Sequence, residues 1–318
     1  MLDKKILVSI PAKNEGKTIA KVIKGCQTVI EQNYSLVPEV LVISDGSTDN
    51  TDREAKAAGA TVIIHETSRG LGTVFQEAVK YAVDNKYDLM VTIDGDRQFD
   101  EREIPKLISP IIQAKADLTS GNRFYENKPI PNMSKTKRFG NVIVAKMVNF
   151  ILEARYQDVS CGFRAYSREA MLHLNLFGGF TYTQEVFLNL GYKGLRIQEV
   201  PITVTYFKER KSRIAKSILN YGYKVLIIIL SSLIFYRPMR FFGTLTFLAW
   251  LYAFPIILIL SIRYFETGLI FPYRALGISA LMAFSIGTIL LSVGVILYSL
   301  SKQQLSIDKL HYYAKKGR

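Results

Sequence analysis

Two long stretches of the sequence carry no charged residue, and they constrain the fold more than any other feature. The first covers 22 residues from Phe241 to Ile262, and the second covers 25 from Leu276 to Leu300. A helix rises about 1.5 Å per residue, so each stretch is long enough to cross a hydrocarbon layer of roughly 30 Å. Charge-free runs of this length are unusual in the buried helices of soluble proteins. The sequence therefore predicts two transmembrane helices joined by a short loop.

Basic residues flank the two predicted spans. Residues 208–224 contain six basic residues and one acid, and residues 302–318 contain five basic residues and one acid. The two flanks therefore carry nine of the fourteen net positive charges of the chain. Because basic flanks stay on the cytoplasmic side of a membrane, both flanks are expected in the cytoplasm. Positive charge at this position also attracts anionic membrane lipid.

A third apolar stretch precedes the two spans. The uncharged part of Val225–Pro238 has 12 residues, which is too short to cross a bilayer. It predicts an interfacial helix that lies on the membrane surface. The alternative is a third span that begins near Ile218, and this would place the basic tail on the opposite side. The expected division is an N-terminal domain at 1–213, interfacial helices at 214–238, two transmembrane helices at 239–300 and a basic cytoplasmic tail at 301–318.

Short apolar runs alternate with helical patterns over the first 120 residues. This alternation predicts an α/β fold with a mostly parallel sheet and helices on both faces. In such sheets, ligands bind beyond the carboxyl ends of the strands. The predicted strands are 6–10, 40–44, 61–65, 89–94 and 117–121, and the predicted helices are 17–32, 52–58, 73–85 and 103–115.

A polar segment follows each predicted strand, and the segment after the fourth carries two acids one residue apart. Asp94 and Asp96 would repel each other in an apolar setting unless a divalent cation lay between them. Mg²⁺ or Mn²⁺ prefers oxygen ligands and keeps coordination sites for phosphate and water. Gln98 could add a neutral oxygen or orient a bound water. The five segments are PAKNEG, SDGSTDNT, SRGLG, DGDRQ and GNRF.

Several other site classes are disfavoured by the sequence. The three histidines and two cysteines are scattered, which disfavours a histidine metal site, a zinc site or a disulfide framework. No Walker A motif is present, and no nucleic-acid-binding motif explains the basic charge. A processive polysaccharide synthase would carry a Gln-x-x-Arg-Trp motif, but the only tryptophan, Trp250, lies inside a predicted span.

The segments IPAKNE, SDGSTDNT, DGDRQ, CGFRAYSRE and EVPI occur in this order. In this respect the chain resembles the inverting family 2 glycosyltransferases, and within them the polyprenyl-phosphate glycosyltransferases, which include dolichol-phosphate mannose synthases and bactoprenol glucosyltransferases. The resemblance runs from Ile6 to about Pro238. It implies a GT-A fold and transfer of a hexose from GDP-mannose or a UDP-sugar to dolichyl or undecaprenyl phosphate. It also implies Mg²⁺ or Mn²⁺ as cofactor and a homotetramer.

The resemblance further implies roles for single residues. Asp94, Asp96 and Gln98 match the metal and diphosphate site, with Arg123 beside the phosphates and Arg210 on a late loop that folds over the site. The residues expected at the acceptor phosphate are Arg138, Lys211, Ser212 and Arg213. The residues expected at the nucleotide are Pro11, Ala12, Asn14, Glu15, Asp45, Arg69, Gly70, Gly72 and Asp94.

The chain departs from the family pattern at three positions. Lys13 stands where an aromatic residue is often found, Ser44 replaces an acid, and Leu71 replaces a basic residue. These departures leave the nucleotide base open, but they do not affect the reaction class.

A phosphate acceptor is already an anion at neutral pH, so the transfer needs no general base. Glu185 is then a candidate for binding a sugar hydroxyl or pairing with an arginine. The alternative is a hydroxyl acceptor on a lipid or glycan, for which Glu185 would have to act as the base. Another alternative is a non-catalytic membrane protein that binds the lipid carrier. An internal ion pair between Arg164 and Asp158 is also expected.

Overall fold

The computed structural model describes residues 4–125, 130–176, 182–207, 227 and 230–317. The chain forms two compact units. The first comprises Met1–Gly222 and Asp308–Arg318, and the second comprises Tyr223–Ile307.

The described strands of the first unit form one seven-stranded sheet in the order β3-β2-β1-β4-β6-β5-β7. Only β6 runs antiparallel to its two neighbours, β4 and β5; the remaining pairs are parallel. The predicted α/β fold with a mostly parallel sheet is therefore confirmed. The strands are β1 (Ile6–Ala12), β2 (Glu39–Asp45), β3 (Thr61–His65), β4 (Leu89–Thr92), β5 (Leu118–Asn122), β6 (Arg164–Ser167) and β7 (Ile197–Pro201).

Helices cover both faces of this sheet. Alternate residues of a strand point to opposite faces, and in β1 Val8 and Ile10 enter one apolar core while Leu7 enters the other. Both cores consist of buried apolar side chains, which explains why the central strands are mostly apolar on both faces. The helices are α1 (Ile19–Tyr34), α2 (Thr51–Ala57), α3 (Leu71–Asp84), α4 (Ile104–Ile112), α5 (Lys135–Leu152), α6 (Arg168–His173) and α7 (Thr183–Tyr192), with a 3₁₀ turn at Glu101–Glu103.

Two strands escaped prediction from the sequence. β6 has only four residues, and its register places Arg164 opposite Thr92 of β4. A buried arginine in so short a segment gives no strand pattern. β7 alternates only weakly between exposed and buried positions, so its pairing with β5 could not be read from periodicity.

The second unit contains most of two long helices, α8 (Pro238–Thr267) and α9 (Arg274–Lys316). Both are long and apolar enough to cross a bilayer, and only 17% of the most apolar window of each is buried within the chain. A core helix of a soluble protein would be mostly buried, so these are the helices of a membrane protein. Within the unit, Trp250 Nε1 donates to the carbonyl of Phe284, and Thr246 Oγ1 donates to the carbonyl of Gly287. Small residues and polar contacts of this kind are typical of paired membrane helices.

The expected division into domains stays a prediction, but the tail expected at 301–318 is helical over most of its length. Helix α9 continues to Lys316, and Asp308–Arg318 belongs to the first unit. Asp308 pairs with Lys193 at 2.8 Å, and both side chains are nearly buried, at 11% and 8% exposure. Asn175 Nδ2 also donates to Asp308. The interfacial helix predicted at 214–238 lies largely outside the described residues; residues 230–236 are helical.

Replacing Lys193 tests this attachment of the tail. Lys193→Met leaves the carboxylate of Asp308 nearly buried without its charged partner, and we expect a loss of about 3 kcal/mol of unfolding free energy. The double variant Lys193→Met/Asp308→Leu should recover much of that loss, because it removes both charges. Thermal and denaturant unfolding of the full chain in detergent would measure both effects. Lys309→Met, at an exposed position on the same helix, is the matched control and should leave stability unchanged.

Candidate active site

The two predicted metal-binding acids lie at the carboxyl end of β4. The amide of Ile93 still donates to Ser9 of β1, which extends the strand to the edge of the site. Asp94 and Asp96 follow, both half-buried. Asp96 Oδ1 accepts a 3.0 Å hydrogen bond from the amide of Gln98, and Arg97 between them has a φ of 60°. A short turn therefore holds the three residues of the predicted metal and diphosphate site at one sheet edge.

The backbone around Gly162 closes one side of this turn. A Cβ atom added to Gly162 would lie 3.7 Å from Asp94 Oδ1 and 3.5 Å from the hydroxyl of Tyr182. Tyr182 is buried, and its ring stacks on Phe75 with 4.0 Å between centroids. Burial raises the pKa of Tyr182 well above its usual value. A neutral hydroxyl therefore lies beside the acids, and nothing in the TYTQE segment had indicated it.

The two segments expected at the nucleoside are bonded to each other. Asn14, which has a φ of 55°, accepts from the amide of Thr48 through its side chain at 2.7 Å. The amide of Asn14 donates to Ser47 Oγ, and the amide of Glu15 donates to Thr51 Oγ1. The loops after β1 and β2 therefore form one surface. Pro11 and Ala12 end β1 beside them.

Asp45 anchors the neighbouring loop. Its carboxylate accepts hydrogen bonds from His65, from Ser68 Oγ at 2.6 Å, and from the amides of Arg69 at 2.7 Å and Gly70 at 3.1 Å. His65 is buried and also contacts Glu77 at 2.6 Å. Burial alone would raise the pKa of Asp45, but these hydrogen bonds outweigh it and lower the pKa to about 2. Contact of Asp45 with a base or ribose stays a prediction.

Arg123 forms an ion pair with Asp158, the residue that was expected to pair with Arg164. Its Nε and Nη2 donate to the two oxygens of Asp158 at 2.7 and 2.8 Å, and its Nη1 donates to the hydroxyl of Tyr206 at 2.9 Å. The expected pair of Arg164 with Asp158 is therefore wrong. Arg164 is fully buried; its guanidinium lies 4.8 Å from the ring centroid of Phe187 and donates to the carbonyl of Val159.

The pairing of Arg123 has an electrostatic consequence. Burial would lower the pKa of Arg123, but the charge and hydrogen bonds of Asp158 raise it well above the usual value. The guanidinium remains charged, yet Asp158 already occupies two of its donors. Contact of Arg123 with a substrate phosphate therefore stays a prediction, and its evident role is to fix the end of β5.

The remaining predicted residues fall into two groups. Arg138 lies in the first turn of α5, and Glu185 lies half-buried in the first turn of α7. Gly70 precedes α3 with a φ of 92°. Roles for these residues in acceptor, sugar or nucleotide binding stay predictions. Four predicted residues, Arg210, Lys211, Ser212 and Arg213, lie outside the described residues.

The low pKa of Asp45 predicts a specific dependence of stability on pH. The pKa is about 2 in the folded state and about 3.9 in an unfolded chain. A carboxyl group with a lowered folded pKa stabilises the fold above about pH 4, and this contribution is lost as the pH falls towards about 2. Wild type should therefore lose up to roughly 2 kcal/mol more than Asp45→Asn over this interval. Unfolding midpoints between pH 2 and 6 would show this, with Glu66→Gln as an exposed control. Equal pH slopes for wild type and Asp45→Asn would refute the anchoring role.

Comparison with known proteins identifies relatives that match about two thirds of the chain. The sequence profile of glycosyl transferase family 2 matches residues 7–174. The UDP-N-acetylglucosamine–dolichyl-phosphate N-acetylglucosaminyltransferase of Methanococcus voltae is 30% identical over 234 residues, which cover 67% of this chain and 90% of that protein. The polyprenol monophosphomannose synthase of Mycolicibacterium smegmatis is 27% identical over 224 residues, which cover 66% and 80%.

Solved structures agree on the fold. Glucosyl-3-phosphoglycerate synthase from Mycobacterium tuberculosis, solved with Mn²⁺, UDP and glucosyl-3-phosphoglycerate, superposes with a TM-score of 0.56 at 21% identity. The match covers 73% of this chain and 79% of that one. This likeness confirms the GT-A architecture expected from the sequence. Because the family profile covers more than half of the chain and a relative aligns along most of its length, the chain belongs to glycosyl transferase family 2.

Proposed function

We propose that this enzyme transfers a hexose from a nucleotide-diphosphate sugar to a polyprenyl phosphate at the cytoplasmic face of a membrane. One observation carries the proposal: a paired-acid site at the ligand edge of a GT-A sheet occurs in a chain with two membrane-crossing helices. The names of two relatives, which act on dolichyl phosphate and make a polyprenol monophosphosugar, support the acceptor class. The sugar donor is GDP-mannose, UDP-glucose or UDP-N-acetylglucosamine, and the acceptor is dolichyl or undecaprenyl phosphate.

The residues around Asp94 and Asp96 fit a divalent cation whose remaining coordination sites are filled by substrate. Among the described residues, no group of three His, Cys, Asp or Glu side chains could hold a metal alone. Mg²⁺ and Mn²⁺ need no such group, because one or two carboxylates can bind them together with phosphate oxygens and water. A bound cation would offset the negative charge of the departing diphosphate. Asp94, Asp96 and Gln98 are the residues that would hold it.

The side chains and loops of the protein align two anions, the acceptor phosphate and the diphosphate of the sugar donor. The acceptor phosphate is already deprotonated, so no side chain has to remove a proton. Basic side chains on the acceptor side, with Arg138 in the first turn of α5, offset the repulsion between acceptor and donor. The bonded loops after β1, β2 and β3 hold the nucleotide in place. In-line attack by the acceptor oxygen on the anomeric carbon inverts that centre as the nucleotide diphosphate leaves.

The proposal includes the membrane arrangement. Basic flanks on both sides of the two spans favour a cytoplasmic catalytic domain. A polyprenyl chain stays in the bilayer and presents only its phosphate at the surface, so an enzyme anchored there meets its acceptor at headgroup depth. A homotetramer is part of the same proposal.

Removal of the metal site tests the reaction. Asp94→Asn should lower transfer of labelled sugar into the lipid fraction by more than about a hundredfold, because the charge of the leaving group is no longer offset. EDTA should abolish the transfer, and Mg²⁺ or Mn²⁺ should restore it. Full-length protein in membranes, given labelled UDP- and GDP-sugars with polyprenyl phosphate, provides the assay.

The control for this assay is Glu31→Gln, which changes an exposed acid on α1 and should retain full activity. Transfer that survives chelation would contradict the role of the cation. Label that appears on a hydroxyl of a lipid or glycan instead would favour the alternative acceptor, and Glu185→Gln would then abolish activity.

A further inference from the structure

Lys137 is a basic residue of the acceptor side that no motif had singled out. It lies in the first turn of α5, where its amide donates to the capping side chain of Ser134 at 3.2 Å. This turn contains no acidic residue. The backbone position of Lys137 is therefore fixed, and no carboxylate of its own turn neutralises its charge.

The ammonium group of Lys137 lies over the ring of Tyr206, and hydrogen bonds hold this tyrosine at its hydroxyl and at its carbonyl. Its Nζ lies 4.5 Å from the ring centroid of Tyr206. The hydroxyl of Tyr206 accepts from Arg123, and the carbonyl of Tyr206 accepts from Asn132 Nδ2 at 2.8 Å. The amide of Thr205 also donates to the carbonyl of Gln98, which joins this segment to the metal-site turn. Tyr206 is thus held in a fixed position, and its ring places the ammonium group of Lys137 beside the predicted metal site.

The surrounding charges leave Lys137 available to an anion. Although much of the side chain is exposed, loss of water around the ammonium and the charge of Arg123 lower the pKa of Lys137, while Asp96 and Asp94 act in the opposite sense. Within the described part of the chain, no carboxylate oxygen lies within 4 Å of its Nζ. Arg123 is already neutralised by Asp158. Among the described residues, Lys137 is therefore a cation near Asp94 and Asp96 that has no carboxylate within ion-pair distance.

The sheet order indicates which substrate this charge serves. The loops expected at the nucleotide follow β1, β2 and β3, which lie on one side of β4. Helix α5 follows β5, which lies on the other side of β4. Asp94 and Asp96 stand between the two halves. A charge on α5 therefore faces the metal site from the side opposite the nucleotide.

We propose that Lys137 binds the phosphate of the polyprenyl acceptor and makes the site selective for a phosphate over a hydroxyl acceptor. This inference rests on the proposed function. A lysine suits the task because its compact charge on a flexible stem can follow a phosphate that moves with a lipid. Its aromatic platform keeps the ammonium on the acceptor side before the acceptor arrives.

Steady-state kinetics of the full chain in detergent micelles would test this role. Lys137→Met should raise the KM for polyprenyl phosphate by roughly tenfold to a hundredfold, the effect of losing one charged hydrogen bond. The KM for the nucleotide sugar should stay within about twofold of wild type. Lys137→Arg should restore most of the acceptor affinity, which a purely structural role would not require. Lys146→Met, at an exposed position on the same helix, is the matched control and should behave as wild type.

The outcomes separate this inference from the function on which it rests. If wild type transfers no sugar to polyprenyl phosphate, the proposed function and the role of Lys137 both fail. If wild type is active and Lys137→Met keeps its acceptor KM, only the role of Lys137 fails. A rise in the donor KM alone would assign the charge to the diphosphate and overturn the inference. Should Lys137→Met not fold, as judged by its unfolding midpoint, the comparison of Lys137→Gln with Lys137→Arg decides the same question.

Discussion

The buried ion pair between Arg123 and Asp158 is the interaction on which the proposed acceptor side of the site depends. The side chains of this pair are 6% and 0% exposed, so removing either partner would strand a charge in the protein interior. The pair joins the end of β5 to the loop before β6, and through Tyr206 it reaches the segment after β7. Three distant parts of the chain therefore meet at one guanidinium. The contact with Arg123 positions the ring of Tyr206, over which the ammonium group of Lys137 lies.

Much of the fold could be predicted because it depends on local pattern. β1 and β2 each contain a short run of mostly apolar residues, and the helices between the first five strands have clear periodicity. Asp94 and Asp96 were identifiable because they belong to a series of five polar segments, each of which follows a predicted strand. β6 could not be found in this way. Its first residue, Arg164, is buried and lies over the rings of Tyr182 and Phe187, which come about twenty positions later in the chain.

For the site residues, too, the sequence predicted what the local motif indicates and missed the contacts that arise only when distant loops pack together. Asn14 and Asp45 were expected to meet the nucleotide, but their side chains also hold neighbouring loops together. Such bonding depends on which loops become adjacent in space, and sequence spacing does not reveal it. The same reason explains the confusion of Arg164 with Arg123 as the partner of Asp158. Tyr206 lies 69 positions beyond Lys137, so their contact exists only in the folded chain.

The reversed direction of β6 has a consequence for how enzymes of this kind can diversify. Because β6 is antiparallel, the chain enters it from the ligand edge, so the segment before this strand lies beside the acids. The loops after β1, β2 and β3 come from one end of the gene, whereas α5 and the segments around β6 and β7 come from the other. Under the proposed function, changes in the early part of the gene would alter the choice of nucleotide sugar, while the later part would keep the same lipid carrier. The two specificities of such an enzyme would then be encoded in separate stretches of the gene.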